Sequence, residues 1–542
     1  MSPEKVAATN KILQQVKATV DKMPASHRKM LDGYANIRHF ADVWEKYGMR
    51  LTDPTFIAHA KTAQRAEAAE ALTPGVGGVV PVSNPSSDIA FSSMGGFTQS
   101  ETSTARCGNT VVVGFNDSGS VFETPFFFTF TGGEGFSGSA YSTNGGASFT
   151  DIGPVNPGPG NGNFLGGDPV INCTDVNTFY YSQIFDFTDS SGNPWAGIAL
   201  NKSTDGGKSW GDPVAPIAKS AFTHTLDKPW STIDPSNPKR IFVSYTDFDA
   251  TFSSAACGAN FRTAIEYVES DDGGNTWSTT PTVAIEVCGN AGVQGSQMAV
   301  SSKGTMYISW VNLGLNFPLG PRVIQISALS GGVLSAPVSV SAVQPGGDSF
   351  YLQGEFRDFL DMAMAIDHSG LSTDGNLYIT WADGRDKIVP DPLAQQGAYA
   401  YDDILFAESL DGGNTWIGPF KVNSDIQSRL GSGHDHYQSG IAVDNRGFIG
   451  ICWYDRRNDS QNFAIRRHCG ESTNGFNFTD NDIGLASFAP SHGNDEFINS
   501  IYMGDYDQMT SDFLNKNSGF IGAFENMSGN RGNPDAAAFS MH

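Results

Sequence analysis

Positive charge is scarce in this chain: 33 Lys and Arg stand against 57 Asp and Glu, a formal net charge of −24 over 542 residues. Nucleic acid is bound through clustered Lys and Arg, so that class of partner is excluded. Long apolar runs are missing as well. None in residues 1–72 is long enough for a signal-peptide core or a membrane span, and no signal peptide is recognisable. Cysteine is sparse, with six residues and no CxxC spacing, which argues against a zinc site. EF-hand-like spacing is absent too, although carboxylate-rich loops supply the hard oxygen ligands of calcium and leave that cofactor open. The acidic excess reads mainly as a solubilising surface.

What the chain does have is one turn, written four times: Ser142-Thr-Asn-Gly-Gly-Ala-Ser-Phe149, Ser203-Thr-Asp-Gly-Gly-Lys-Ser-Trp210, Ser270-Asp-Asp-Gly-Gly-Asn-Thr-Trp277 and Ser409-Leu-Asp-Gly-Gly-Asn-Thr-Trp416. Each element has a mechanical role in a hairpin. The Asp or Asn side chain accepts backbone N–H groups, glycine supplies a positive φ, and the terminal aromatic folds back on the hairpin as an apolar plug. Ser472-Thr-Asn-Gly-Phe-Asn-Phe478 is a copy one residue short, and Ala328-Leu-Ser-Gly-Gly-Val-Leu-Ser335 keeps only the glycines. The copies recur at about 65 residues, with one double gap between Ser270 and Ser409 that the degenerate copy fills.

Between the turns runs a β-rich stretch ending in an aromatic and an Asp, as in Ile241-Phe-Val-Ser-Tyr-Thr-Asp247, Leu377-Tyr-Ile-Thr-Trp-Ala-Asp383 and Phe448-Ile-Gly-Ile-Cys-Trp-Tyr-Asp455. Each unit therefore reads as a four-stranded antiparallel blade, and the whole as an all-β β-propeller of seven blades, with six as the alternative. The seventh is expected to be completed by a strand near Asp88-Ile-Ala-Phe91, which would remove the exposed edge. The domain reading is a helical segment over residues 1–72, a linker over 73–84 and the propeller over 85–542. Helices are expected from Pro3 to Met23, Ser26 to Tyr47 and Asp53 to Leu72. That segment reads either as a bundle packed on the propeller or as an appendage for self-association or targeting.

Of the cysteines, Cys452 and Cys469 sit on consecutive strands of one hairpin, and Cys257 and Cys288 lie in loops on one face. Disulfides across these pairs, with Cys107 and Cys173 left to each other, would imply an oxidising compartment, extracellular or at the cell surface. Free buried thiols are the alternative.

In a propeller the repeated turns occupy one face, and the loops between blades, with those joining second to third strands, occupy the other. The second face gathers a polar set: Asp168, Asp227, Lys228, Glu355, Arg357, Asp358, His434, Asp435, His436, Tyr437, Asp505 and Tyr506, joined by Asp117, Asp247, Asp383, Arg385, Asp455, Arg456 and Arg457. The plain reading of Trp381-Ala-Asp-Gly-Arg385 and Tyr454-Asp-Arg-Arg457 is a turn in which Asp binds backbone N–H and Arg pairs with a neighbouring blade. His434 and His436 could hold a metal with a third ligand, or face solvent.

The turn resembles the Asp box, or BNR repeat, of the sialidase-like superfamily. Asp227-Lys-Pro-Trp230, the Trp-Ala-Asp-Gly-Arg and Trp-Tyr-Asp-Arg-Arg strings and Gly504-Asp-Tyr506 are similar to bacterial exo-α-sialidase-like proteins over about residues 100–530. The resemblance implies a glycoside hydrolase that clamps a carboxylate with three arginines and attacks with a tyrosine activated by a glutamate. Carried onto this chain, Arg357, Arg385 and Arg456 form the clamp, Tyr506 is the nucleophile, Glu355 its base and Asp227 the acid, with Asp383, Asp455, His434, His436 and Asp505 lining the substrate. The family's Phe-Arg-Ile-Pro string ahead of the first box is not in this sequence. Two functions stay open: a glycan-directed propeller working as an exo-glycosidase, and a non-catalytic glycan- or protein-binding propeller with a helical docking element.

Overall fold

The computed structural model describes residues 3–31, 45, 78–84, 89–91, 94–96, 98–121, 134–160, 162–315, 322–347, 351–354, 356–358, 362–392, 394, 397–427, 433–483, 503–512, 519–526 and 535–541. Seven antiparallel sheets of four main strands form the blades. Their innermost strands are Gln99–Cys107, Val170–Cys173, His224–Asp234, Gly292–Val300, Met362–Ile366, His436–Val443 and Met509–Ser511. Each touches the innermost strand of the next blade, and Met509–Ser511 touches Gln99–Cys107, so the ring closes. This is a seven-bladed β-propeller.

The closing strand differs from the sequence expectation. Val80–Pro81 pairs with Asp535–Met541 as the outermost strand of blade seven, and Ile89–Phe91 instead pairs with Met94–Gly96 in a separate hairpin. An outermost strand needs hydrogen bonds on one side only, which is where a proline is tolerated.

The β-rich runs form the second strands, and their aromatics are core. Trp310, Trp381 and Trp453 are buried at most to 1% exposure. The Asp two residues on has a reason as well: Trp381 Nε1 donates to Asp383 (3.0 Å) and Trp453 Nε1 to Asp455 (2.8 Å), so the buried indoles keep a partner.

The repeated turns join third to fourth strands. In blade three, Ser270 Oγ donates to Asp272 (2.9 Å) and accepts the Gly274 amide (3.0 Å), while Asp272 accepts the Asn275 and Thr276 amides (both 2.9 Å). Blades two and five repeat this around Asp205 and Asp411. The degenerate copy makes the same connection in blade four, with Gly331 and Gly332 both at positive φ. One detail departs from expectation. The turn packs on the preceding blade rather than only on its own hairpin: Trp210 Nε1 donates to Ser139 of blade one, and a Cβ on Gly274 would come within 2.9 Å of Leu200 in blade two. The second glycine therefore answers both to a φ of +86° and to blade-to-blade contact.

At the N-terminus, α1 (Pro3–Val20) and α2 (Ala25–Leu31) are formed. The remaining expected helical residues lie outside the described ones, apart from Glu45. Helix α1 buries Ile12, Leu13, Val16 and Val20 against Phe164, Ile184, Ala196 and Phe248. Lys11 Nζ donates to the Gly192 carbonyl, Thr19 Oγ1 to that of Ala221, and His27 Nε2 meets that of Ala291 at 3.0 Å. Those carbonyls lie in loops after second and fourth strands, so the helices dock on the face opposite the repeated turns. Three disulfides join Cys107 to Cys173, Cys257 to Cys288 and Cys452 to Cys469.

Candidate functional site

All seven blades deliver a side chain to one place: the axial end where innermost strands begin. Glu101, Asp168, Lys228, Gln294, Arg357, Gln438 and Asp505 come from or just ahead of the innermost strands of blades one to seven. A shared backbone device presents several of them. Pairing shifts register between Ser100 and Ser103, Asp227 and Trp230, Gln294 and Gln297, and Tyr437 and Gly440. Within or beside these bulges Glu101, Lys228 and Gln438 adopt φ of 51°, 49° and 48°, and Asp168 adopts 58° just before its strand. A bulge re-aims a side chain, and left-handed non-glycine residues persist only where the surroundings over-determine them.

At the centre stands Lys228. Its Nζ lies 2.7 Å from Asp505, 3.0 Å from Glu101 and 3.5 Å from Asp168, and 5.3 Å from the Tyr506 ring centroid. Arg357 reaches Asp505 at 2.8 Å from the other side. Glu101 also accepts the Asp505 amide (3.0 Å), Gln294 donates to Asp227, and Gln438 donates to the Gly504 carbonyl (2.6 Å). The channel beside this hub holds cavities of about 70 and 30 Å³, both lined by Asp505, Tyr506, Trp230 and Met362. Such a volume takes a few waters.

The charges are unevenly matched. Burial raises the Asp227 carboxyl to about 6; Lys228 opposes the rise, and Asp505 and Glu101 add to it. Asp168 is raised as well, by burial and then by the Glu101 carboxylate. For Lys228 burial works against the charge, but Asp168, Asp505 and Glu101 outweigh it and hold the ammonium. The Tyr506 phenol is held well above its ordinary range by burial and by the Glu101 and Asp168 charges, and its hydroxyl donates to the Pro169 carbonyl (2.9 Å).

Asp227, Arg357, Asp505 and Tyr506, singled out from sequence, thus meet at the hub. The three expected clamp arginines engage three different carboxylates. Arg357 pairs with Asp505; Arg385 folds onto Asp383 (2.6 Å) and the Ala342 carbonyl; Arg456, fully buried, lies 3.5 Å from Asp435 and over the Tyr437 ring. Arg385 and Arg457 each donate their own amide to the Asp two residues back (3.0 and 2.8 Å), as the plain reading has it, but the guanidinium ion pairs at 2.6 Å are with that same Asp rather than with a neighbouring blade. Glu355 lies outside the described residues. His434 is tied through its backbone to Gln427.

His436 belongs to a second network. Burial disfavours its charge, yet Asp455, Asp425 and Asp403 raise it to about 9. Two groupings among the described residues have metal-like spacing: Asp403 with Asp425 and His436, and His224 with Asp247 and Asp249. Protein cations already serve both, since Lys421 sits 2.7 Å from Asp403 and Lys219 2.8 Å from Asp247. They fit ion-pair networks better than a calcium shell of oxygens. Glu101, Gln294 and Gln438 are the hub residues that sequence reasoning missed. Each is the third residue of an innermost strand, a placement visible only once the strands and their register shifts are known.

No protein-family model matches the chain, and no curated protein matches it. Among solved structures it is similar to the Hadza microbial sialidase Hz136 at 10% identity and a TM-score of 0.41, over 69% of this chain and 65% of that one, less than two thirds of the sialidase's length. It is similar to an α-L-arabinanase of Penicillium chrysogenum at 11% identity and a TM-score of 0.42, over 69% and 93%. A polysaccharide lyase, an ulvan lyase, matches at 12% identity and a TM-score of 0.44, over 86% and 94%. At such scores the activities of those proteins do not transfer, and function rests on the hub.

Proposed function

We propose that the chain is a glycan-directed propeller of the sialidase-like kind, working as an exo-glycosidase at its axial hub. The observation that carries this reading is a pair of buried carboxylates with opposed surroundings. Asp227 retains its proton to about pH 6, and Asp505 is bound by both Lys228 and Arg357. Glycoside hydrolysis needs such a pair, one carboxyl to protonate the leaving oxygen and one to stay ionised. In this reading Asp227 is the acid and Asp505 the second carboxyl, placed between Lys228 and Arg357. Tyr506 serves as a wall of the site, its hydroxyl being engaged with Pro169. The Asp-box resemblance of the repeated turns and the three disulfides support an extracellular or cell-surface glycan protein.

The test is hydrolysis of a panel of fluorogenic glycosides by the parent and Asp227→Asn. Losing a general acid should lower kcat by about 100-fold or more. An active parent matched by an equally active Asp227→Asn would remove Asp227 from the mechanism. One observation favours a second reading. The hub cavity of about 70 Å³ is small, as expected of a non-catalytic propeller that binds glycan or protein around its rim. A parent inactive on the whole panel, yet retained on a glycan array, would support it.

A further inference from the structure

The two N-terminal helices stand on the same face as the hub, and their contacts fall on the segments that feed it. Ile12, Leu13, Val16, Val20 and Met23 join one apolar cluster with Phe164, Ala221, Phe248 and Phe261. Thr19 Oγ1 donates to the Ala221 carbonyl (2.6 Å), and His27 Nε2 meets the Ala291 carbonyl at 3.0 Å. Phe164 leads into Asp168, Ala221 into the strand of Asp227 and Lys228, and Ala291 directly into that of Gln294. The helices thus hold the entries to the innermost strands of blades two, three and four.

His27 is the part of this contact that acid can change. It is buried, with its ring edge-on to Phe261 at 4.7 Å and to Phe248 at 6.3 Å. The neutral tautomer with its proton on Nε2 satisfies both nitrogens: Nε2 donates to Ala291, and the Ser26 hydroxyl donates to Nδ1 (3.3 Å). A second proton would set a charge between two phenyl rings with no ion-pair partner among the described residues. Charged groups on the neighbouring elements are engaged elsewhere. Arg28 bonds the Asp21 and Met23 carbonyls, Lys22 that of Phe222, and Asp249 accepts the Thr251 amide. Asp247 pairs with Arg262 (3.0 Å), and Asp21 is exposed. Burial accordingly lowers the imidazole from 6.5 to about 4, opposed by its bond to Ala291.

We propose that α1 and α2 brace the hub's entry segments, and that His27 is the latch through which acid releases them. The undocked imidazole takes up its proton first, so docking is complete above pH 6.5 and weakens as pH falls toward 4. Between pH 7.5 and 5 the docking equilibrium should fall by about 30-fold. Asp227 titrates in the same range with the opposite sign, its raised carboxyl favouring the folded hub in acid, so a loss of order at the hub entries has another source. The brace is independent of the glycan reading and of the ligand the hub takes.

The test is hydrogen exchange of the full chain read by mass spectrometry, corrected for the intrinsic effect of pH. Peptides from residues 3–31 should open at least tenfold more at pH 5 than at pH 7.5, and those over 221–230 and 291–298 should open with them. The peptide over 436–443, across the ring, should keep its protection. His27→Gln keeps a donor for Ala291 and does not titrate, so its helices should stay docked at pH 7.5 and lose the acid response. An acid response that persists in this variant would overturn the proposal, because His27 would then be packing only. Equal protection of the parent's helices at the two pH values would overturn it too, as would helices that open while 221–230 and 291–298 stay closed. If His27→Gln does not dock at pH 7.5, Thr19→Val decides beside the parent. It keeps the histidine, so its helices should open more at both pH values and retain the tenfold response to acid; a lost response would count against the latch.

Discussion

The two faces of this wheel use the same residue types and satisfy them in opposite ways. In the repeated turns each Asp is bonded by its own neighbours. Asp205 takes the Ser203 hydroxyl and the Lys208 and Ser209 amides, all within four residues, and Asp272 and Asp411 do likewise. At the hub the partners are distant: Lys228 and Glu101 are 127 residues apart, and Arg357 and Asp505 are 148 apart. A locally satisfied turn can be copied from blade to blade because nothing outside it must change. A site assembled from seven blades cannot be copied whole: its seven residues are of five types, and each reaches a partner in another blade or loop. Repetition therefore marks what holds the ring together, and departure from repetition marks where chemistry can be built.

That contrast predicts unequal consequences of mutation. The largest should follow Lys228→Met, which leaves Glu101, Asp168 and Asp505 buried without their shared cation. Breaking a buried ion pair by removing one partner costs about 3–5 kcal/mol, and denaturant unfolding should register a loss of that size. Adding Asp505→Asn should recover part of it, because a neutral amide no longer needs the ammonium. A loss below about 1 kcal/mol would mean the hub is held by packing rather than by its charges.

Removing one turn hydroxyl should matter less. Ser270→Ala deletes the bond to Asp272 and the acceptor for the Gly274 amide, at about 1 kcal/mol of net stability. The sharper expectation is additivity. Ser203→Ala, Ser270→Ala and Ser409→Ala lie in three blades and share no polar partner, so the triple variant should lose the sum of the single losses within about 0.5 kcal/mol. Marked non-additivity, read from the same unfolding curves, would break the picture of self-contained turns.

The same division explains what could be read from the sequence. The turns, the blade count and the second-strand Trp-x-Asp strings were legible because each is a local pattern with a local cause. The Cys452–Cys469 bridge was legible for a related reason, as its two residues face each other across one hairpin. Val80–Pro81 was not, since two outer-edge residues carry no strand periodicity. Arg357 and Arg385 look alike in sequence, one following Glu355-Phe and the other Asp383-Gly. Only the fold shows that Arg385 closes on its own Asp while Arg357 crosses to another blade. Glu101 was illegible for a deeper reason: Ser100-Glu-Thr102 reads as an ordinary polar strand until a register shift and a φ of 51° bring it to the axis.

The response to acid is the most discriminating comparison, because the two faces should shift with opposite sign. Asp227 has its native pKa raised from 3.8 to about 6, so between those values the folded chain holds a proton the unfolded chain has lost. Stability then falls as pH rises through that window. Asp272, bonded by Thr276 and Asn275 amides and two hydroxyls, is lowered from 3.8 to about 2. There the unfolded chain takes up the proton first, so stability falls as pH drops from 3.8 toward 2. Subtracting the denaturation midpoints of Asp227→Asn and Asp272→Asn from those of the parent, pH by pH, isolates each group from every other titrating residue. The first difference curve should slope downward between pH 3.8 and 6 and the second upward between pH 2 and 3.8. If both sloped the same way, Asp227 would be stabilised as a carboxylate like the turn aspartates, and the distinction between a locally satisfied face and a proton-retaining hub would fail at the residue on which the proposed chemistry depends.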